Sequence, residues 1–150
     1  MQDSNIRPLA QSYGIALIYL FGSQADKGKR YLKGEDVTPH VFSDLDVAIA
    51  FENPPAESIE TYGILYKEIS EIFDLFNIDL VFMHEVNACL QYEIIKGIRI
   101  YTKDELHADE FEESIMKKAE DLLFKKRILD NEIMEAIEDG YFEFEYSPNP

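Results

Sequence analysis

The dipeptide Gly22-Ser23 stands where an apolar run, residues 15–21, gives way to a polar segment. A glycine directly after a strand lets the backbone come close to a phosphate group. A serine hydroxyl and the neighbouring backbone amides can then bind the phosphate oxygens, particularly where a helix begins. Gly22 and Ser23 therefore predict a phosphate-binding turn.

Asp44 and Asp46 open the next apolar run, which ends at Phe51. Because side chains alternate along a strand, both carboxylates project to one face while Leu45 turns the other way. Two unpaired carboxylates on one patch repel each other and raise each other's pKa, so a cation is expected between them. Mg²⁺ commonly binds one or two carboxylates together with phosphate oxygens.

Asp79 is the third candidate carboxylate, and it alternates with apolar residues in the run 78–83. If this strand lies beside the strand of Asp44 and Asp46, all three carboxylates share a face. Three carboxylates can hold two metal ions that clamp the attacking and leaving oxygens of a displacement at phosphorus. Asp79 is also the group best placed to accept a proton from an incoming hydroxyl.

Basic residues are scarce in this chain, but several lie between Ser23 and Asp44. The clustered residues are Lys27, Lys29, Arg30 and Lys33. In a protein with 30 acidic and 14 basic residues, this clustering indicates a local site for a triphosphate.

The net charge of −16 would repel a polyanion, so direct nucleic-acid binding is disfavoured and a basic protein is the favoured partner. The chain has no apolar stretch of the length that crosses a membrane, and its start does not resemble a secretion signal. Its single cysteine cannot form an internal disulfide, which fits a reducing compartment. We therefore expect a cytoplasmic protein.

The elements that must position these residues follow from apolar periodicity and from breaker residues. Predicted strands are 15–21, 44–51, 78–83 and 98–101, and predicted helices are 6–13, a short start near residue 24, 56–76, 86–96 and a long one from about 105 to 139. This order predicts an α/β (α+β) domain with a small mixed sheet over residues 1–140. The remaining residues, 141–150, form a tail of alternating aromatic and acidic residues.

Two local patterns give finer predictions. The apolar stripe of helix 56–76 steps by three and four residues from Ile59 through Tyr66 to Phe76, which predicts that these residues face the core. The segment Thr102-Lys103-Asp104-Glu105 has the pattern of a capping box, which predicts Thr102 as the residue that caps the long helix.

Taken together, the motifs resemble the minimal nucleotidyltransferases of the DNA polymerase β superfamily. The matching segments are 21–23 (Phe-Gly-Ser), 43–49 (Ser-Asp-Leu-Asp-Val-Ala-Ile) and 78–81 (Ile-Asp-Leu-Val). The resemblance implies transfer of a nucleoside monophosphate from a triphosphate with two Mg²⁺ ions. It implies that Asp44, Asp46 and Asp79 ligate the metals and that Gly22 and Ser23 hold the triphosphate.

The segment 88–101 and the long helix after it resemble the antitoxin branch of that family. Its members pair with HEPN-domain ribonuclease toxins, and some silence the toxin by adenylylating one of its tyrosines. Two departures accompany the resemblance. The twenty residues 24–43 make a longer loop than is usual, and Asp26 stands where the family often has an arginine.

Three functions follow as expectations. The first is transfer of AMP from ATP to a tyrosine of a cognate HEPN toxin. The second keeps the chemistry but takes a small cationic acceptor such as an aminoglycoside, which an acidic surface would attract. The third is an antitoxin that neutralises its partner by binding alone.

Overall fold

A computed structural model describes residues 5–139 of the chain. The predicted tail 141–150, and with it the predicted domain boundary at residue 140, lie outside the described residues. Within the described range the fold is the predicted mixed α/β arrangement, with one four-stranded sheet and five α-helices.

The sheet holds four strands in the spatial order β3-β2-β1-β4. Their bounds are β1 Ile15–Phe21, β2 Leu45–Phe51, β3 Ile78–Phe82 and β4 Ile98–Thr102. β1 runs antiparallel to β2 and to β4, whereas β2 and β3 are parallel. The four predicted strands are confirmed within one residue at each end.

The helices cover both faces of the sheet and are α1 Ile6–Ser12, α2 Ala25–Leu32, α3 Ser58–Ile72, α4 Ala88–Ile95 and α5 Glu105–Glu138. One apolar cluster joins α1, α2 and α3 to the face that carries Leu20, Leu45 and Val47. A second cluster joins α4 and α5 to the opposite face, which carries Tyr19 and Ala48. Each face of the sheet therefore buries its apolar side chains under helices, as the core of an α/β domain requires.

The buried face of α3 differs from the predicted stripe. Ile59 is 92% exposed and Tyr66 is also exposed, whereas the stripe residues Ile69, Phe73 and Phe76 are buried, together with Leu65 and Ile72. Ile59 and Tyr66 were thus wrongly assigned to the core. The face of α3 that packs on the sheet is the one that carries Leu65, Ile69 and Ile72.

Gly28 lies buried in the middle of α2, although glycine usually weakens the interior of a helix. A Cβ atom at this position would approach Leu45 Cδ1 to 2.8 Å and Leu20 Cδ1 to 2.9 Å. The missing side chain therefore lets α2 pack directly on β1 and β2. α2 itself begins at Ala25, two residues after Ser23.

α5 is capped by Asp104, whose Oδ1 accepts the N–H groups of Leu106 and His107. The predicted cap, Thr102, instead belongs to β4, so the capping-box prediction is wrong. The Asp104 side chain can reach these amides because Asp104 itself adopts an extended backbone just before the helix.

A polar contact joins α5 to the middle of the sheet. The hydroxyl of the buried Tyr19 donates to Glu112 Oε2 at 2.5 Å, and Arg99 of β4 donates to the same oxygen at 3.3 Å. Burial and the neighbouring Glu112 raise the pKa of Tyr19. Tyr19 therefore remains a neutral hydrogen-bond donor that fixes the first third of α5 on the sheet.

Gly28→Ala tests the close approach of α2. We expect the free energy of unfolding to fall by about 1–3 kcal/mol, because Leu20 and Leu45 are fully buried and must repack to admit the added methyl group. Gly63→Ala in α3 is the matched control, since a Cβ there meets nothing within 4 Å. It should raise stability by about 0.5–1 kcal/mol. Urea denaturation of both variants measures the change in the free energy of unfolding. A change of the same sign in both variants would contradict the close packing of α2.

Candidate functional site

The sheet brings the predicted carboxylates together with the Gly-Ser turn. Phe21 at the end of β1 is paired with Asp46 at the start of β2, and Asp46 is in register with Asp79 on β3. Asp46 and Asp79 alternate with buried residues of their strands, so their side chains lie on the sheet face that α4 and α5 cover further along. Asp44 lies two residues before Asp46 and is exposed.

Gly22 lies against Asp46. Its φ of +74° is in the left-handed region, which L side chains rarely adopt. A Cβ on Gly22 would stand 2.1 Å from Asp46 Oδ2, so any side chain there would push this carboxylate aside. Glycine is required at position 22 both by the turn and by the carboxylate beside it.

Asp46 is the carboxylate of the site whose pKa is raised. Burial and the negative charge of Asp79 raise the pKa of Asp46 from 3.8 to about 6, and a hydrogen bond to Asp79 and the charge of Asp44 act in the same direction. Asp79 and Asp44 are therefore close enough to Asp46 to oppose its ionisation. A divalent cation among them would remove this repulsion.

The donor set fits Mg²⁺, which prefers carboxylate oxygens and phosphate oxygens. In the described part of the chain, however, no three His, Cys, Asp or Glu side chains are already arranged around a metal position. Asp44, Asp46 and Asp79 would thus have to rotate their side chains to share an ion. The backbone register that places Asp46 beside Asp79 needs no such change.

Ser23 is exposed in the turn that leads into α2, and the N–H of Ala25 donates to the Gly22 carbonyl. The turn therefore leaves Ser23 accessible to a ligand next to the start of a helix, as the sequence predicts for a phosphate site.

The basic residues of the segment do not gather at this turn. Lys29 lines a cavity of about 170 Å³ with Lys33 and Arg99, on the β4 side of the sheet. Arg30 pairs with Glu35 at 3.4 Å. Lys27, in the first turn of α2, is half-buried and is the predicted cation nearest in sequence to Ser23. The cavity that Lys29 lines and the ion pair of Arg30 thus do not include the three carboxylates.

Sequence reasoning missed the residue after the turn, Gln24. It is only 4% exposed, and its Oε1 accepts the backbone N–H of His40 at 3.1 Å. The contact ties the far end of the long loop 33–44 back to the phosphate turn. The sequence gives no signal that this polar residue is buried, because its burial depends on the path that brings His40 back to it.

Comparisons with known proteins agree with this geometry. Residues 4–106 match the family model for "Polymerase beta, Nucleotidyltransferase". Since the match covers more than half of the chain, the protein belongs to this nucleotidyltransferase family. A search of curated proteins gives no significant match.

Solved structures with the same fold come from toxin–antitoxin complexes. A mutant of the MntA–HepT pair aligns with a TM-score of 0.65 and 16% identity, over 89% of this chain and 99% of that chain. A toxin–antitoxin with AMP-PNP aligns with a TM-score of 0.62 and 18% identity, over the same shares. A tri-AMPylated Shewanella oneidensis HEPN toxin in complex with an MNT antitoxin gives 0.60 and 18%, again over 89% and 99%. These likenesses establish the minimal-nucleotidyltransferase fold predicted from the sequence.

None of the helices between residues 5 and 139 combines the length and the apolar character that a bilayer crossing requires. The cytoplasmic location expected from the single cysteine stays a prediction.

Asp46→Asn tests the electrostatics of the site. Because folding raises the pKa of Asp46 from 3.8 to about 6, the folded state favours the protonated carboxyl. The wild type therefore loses stability relative to Asp46→Asn as pH rises from 4 to 7. Without added metal, we expect the variant to melt a few degrees higher at pH 7.5 and equally at pH 4.

The control for this experiment is Asp36→Asn, which changes an exposed carboxylate on the loop between α2 and β2. It should leave the pH profile of thermal unfolding unchanged. A pH-independent difference between wild type and Asp46→Asn would show that the three carboxylates do not interact.

Proposed function

We propose that this protein is an Mg²⁺-dependent nucleotidyltransferase that transfers AMP from ATP to a tyrosine of a cognate HEPN ribonuclease toxin, and so neutralises it. The observation that carries the proposal is the register of Asp46 with Asp79, with Gly22 in contact with Asp46. This arrangement sets carboxylates directly beside a turn suited to phosphates.

The reaction forms a bond between the acceptor oxygen and the α-phosphorus, breaks the bond from that phosphorus to the β-bridging oxygen, and releases pyrophosphate. In this proposal Gly22 and Ser23 bind the phosphates through backbone amides and the serine hydroxyl. Asp79 accepts the proton of the acceptor hydroxyl. Two Mg²⁺ ions held by Asp44, Asp46 and Asp79 would offset the charge on the oxygens that attack and leave.

Lys27 is the remaining cation for the triphosphate. It precedes the buried Gly28 and lies one turn or less from Ser23, whereas Lys29 and Arg30 contact other residues. Asp26, also in the first turn of α2, brings a negative charge to the same place. A phosphate bound there would therefore depend on Mg²⁺ for much of its charge neutralisation.

The distal part of α5 supports a protein partner. Its last buried residue is Ala119, yet the helix continues to Glu138 with exposed apolar side chains. These include Leu122 at 46%, Leu129 at 55% and Met134 at 48% exposure. Exposed apolar side chains with no covering element in the described chain are typical of an interaction surface. The net charge of −16 favours a basic partner, as expected of a protein that binds RNA.

The transfer reaction is tested with labelled ATP and the cognate HEPN toxin. We expect the toxin to be labelled in the presence of Mg²⁺, and a chelator should abolish labelling. Asp44→Asn and Asp79→Asn should each reduce the rate at least 100-fold, because each removes a metal ligand and Asp79 also removes the proton acceptor. Asp36→Asn is the control, because it removes the same single negative charge from the loop between α2 and β2.

The same variants separate the alternatives. Equal labelling by Asp44→Asn and wild type would overturn the metal mechanism. If both variants neutralise the toxin as fully as wild type, neutralisation operates by binding alone. Transfer of label to aminoglycosides, without transfer to the toxin, would instead assign a small-molecule acceptor.

The docking surface is tested separately with Leu122→Glu/Leu129→Glu. We expect at least a tenfold weaker complex with the toxin in titration calorimetry, since a charge in an apolar interface must be desolvated. Ile59→Glu, at an exposed apolar position on α3, should leave binding unchanged. Wild-type affinity in the double variant would show that the toxin binds elsewhere.

A further inference from the structure

The long loop before β2 presents an apolar tip next to the candidate site. Residues 40–43 form a turn in which the Ser43 N–H donates to the His40 carbonyl at 3.3 Å. Its two central residues are Val41, 83% exposed, and Phe42, 92% exposed. Such positions usually hold Gly, Pro, Asn, Asp or Ser. A valine and a phenylalanine there need a reason other than turn formation.

The turn is fixed by polar contacts on its inner side. The backbone N–H of Phe42 donates to His40 Nδ1 at 3.2 Å, and the His40 N–H donates to the buried Gln24. The His40 and Phe42 rings lie edge to face, with 6.2 Å between their centroids. These contacts point the aromatic ring outward without covering it. The exposed ring of Phe42 is therefore kept in place by its contacts with His40.

The anchor places this ring on the nucleotide side of the site. Gln24 directly follows Ser23, so the turn is attached to the segment that would bind the triphosphate. Phe42 also lies only two residues before Asp44. Asp79, the proposed proton acceptor, is on β3 at the opposite side of Asp46 from β1. An acceptor hydroxyl approaching Asp79 would thus come from the other side.

We infer that Phe42 is a stacking platform for the nucleobase of the bound nucleoside triphosphate. The inference rests on the triphosphate site of the proposed function. Aromatic rings stack on the π-face of any base, so this contact adds affinity without selecting strongly among bases. It also gives the loop insertion a role, because the additional residues are what bring a ring back to the phosphate turn.

The test compares ATP with inorganic tripolyphosphate, which has the phosphates but no base. Titration calorimetry in Mg²⁺ measures both affinities for wild type, Phe42→Ala and Phe42→Tyr. We expect Phe42→Ala to weaken ATP binding about tenfold or more and to leave tripolyphosphate binding within twofold. Phe42→Tyr should restore ATP binding, since a phenol ring still stacks.

Phe124→Ala on α5 is the control for loss of an exposed phenylalanine, and it should bind ATP as wild type does. Unchanged ATP affinity in Phe42→Ala would overturn the inference and leave the proposed function intact. An equal loss of affinity for ATP and tripolyphosphate would also overturn it, because the ring would then support the phosphate turn. Failure of wild type to bind either compound would overturn the triphosphate site itself.

Discussion

The crowding of carboxylates at one end of the sheet is the constraint around which the domain is organised. Asp46 is paired in register with Asp79 on the adjacent strand and has Gly22 packed against it, so negative charge is concentrated at the start of both strands. Such an arrangement costs stability in the metal-free protein. The opposite side of β2 offsets this cost, because Leu45 and Val47, on either side of Asp46 in the sequence, are fully buried.

The mixed topology explains how residues distant in sequence come together. The antiparallel pairing of β1 with β2 returns the start of β2 to the Gly-Ser turn, although twenty residues separate Ser23 from Asp44. The parallel pairing of β2 with β3 then places two strand starts side by side, which requires a crossover element between them. α3 serves as this crossover and packs Leu65 and Ile69 under the sheet. The site is thus a product of one antiparallel and one parallel connection.

The sequence predicted the strands well because they depend on local apolar runs, and alternation within β2 and β3 is also what places Asp46 and Asp79 on one face. β2 is buried on both faces after Asp46, and a short continuous apolar run of this kind is typical of such a strand. The errors have a common physical origin, since they concern choices made by tertiary contacts. Thr102 fitted a capping pattern but belongs to β4, and Ile59 fitted an apolar stripe but is exposed because α3 packs through Leu65. The burial of Gln24 was unpredictable for the same reason, because its partner His40 is sixteen residues away.

The joint between α5 and the sheet has a mechanical consequence. Tyr19 is two residues from Phe21 at the site, and its bond to Glu112 fixes the direction in which the helix leaves the domain. The segment from Ala119 to Glu138 extends roughly 30 Å at 1.5 Å per residue. A partner bound along this segment of α5 would be held at a set distance and angle from the carboxylates. Only a hydroxyl of the bound partner that lies at the matching distance from this segment would then reach the carboxylates.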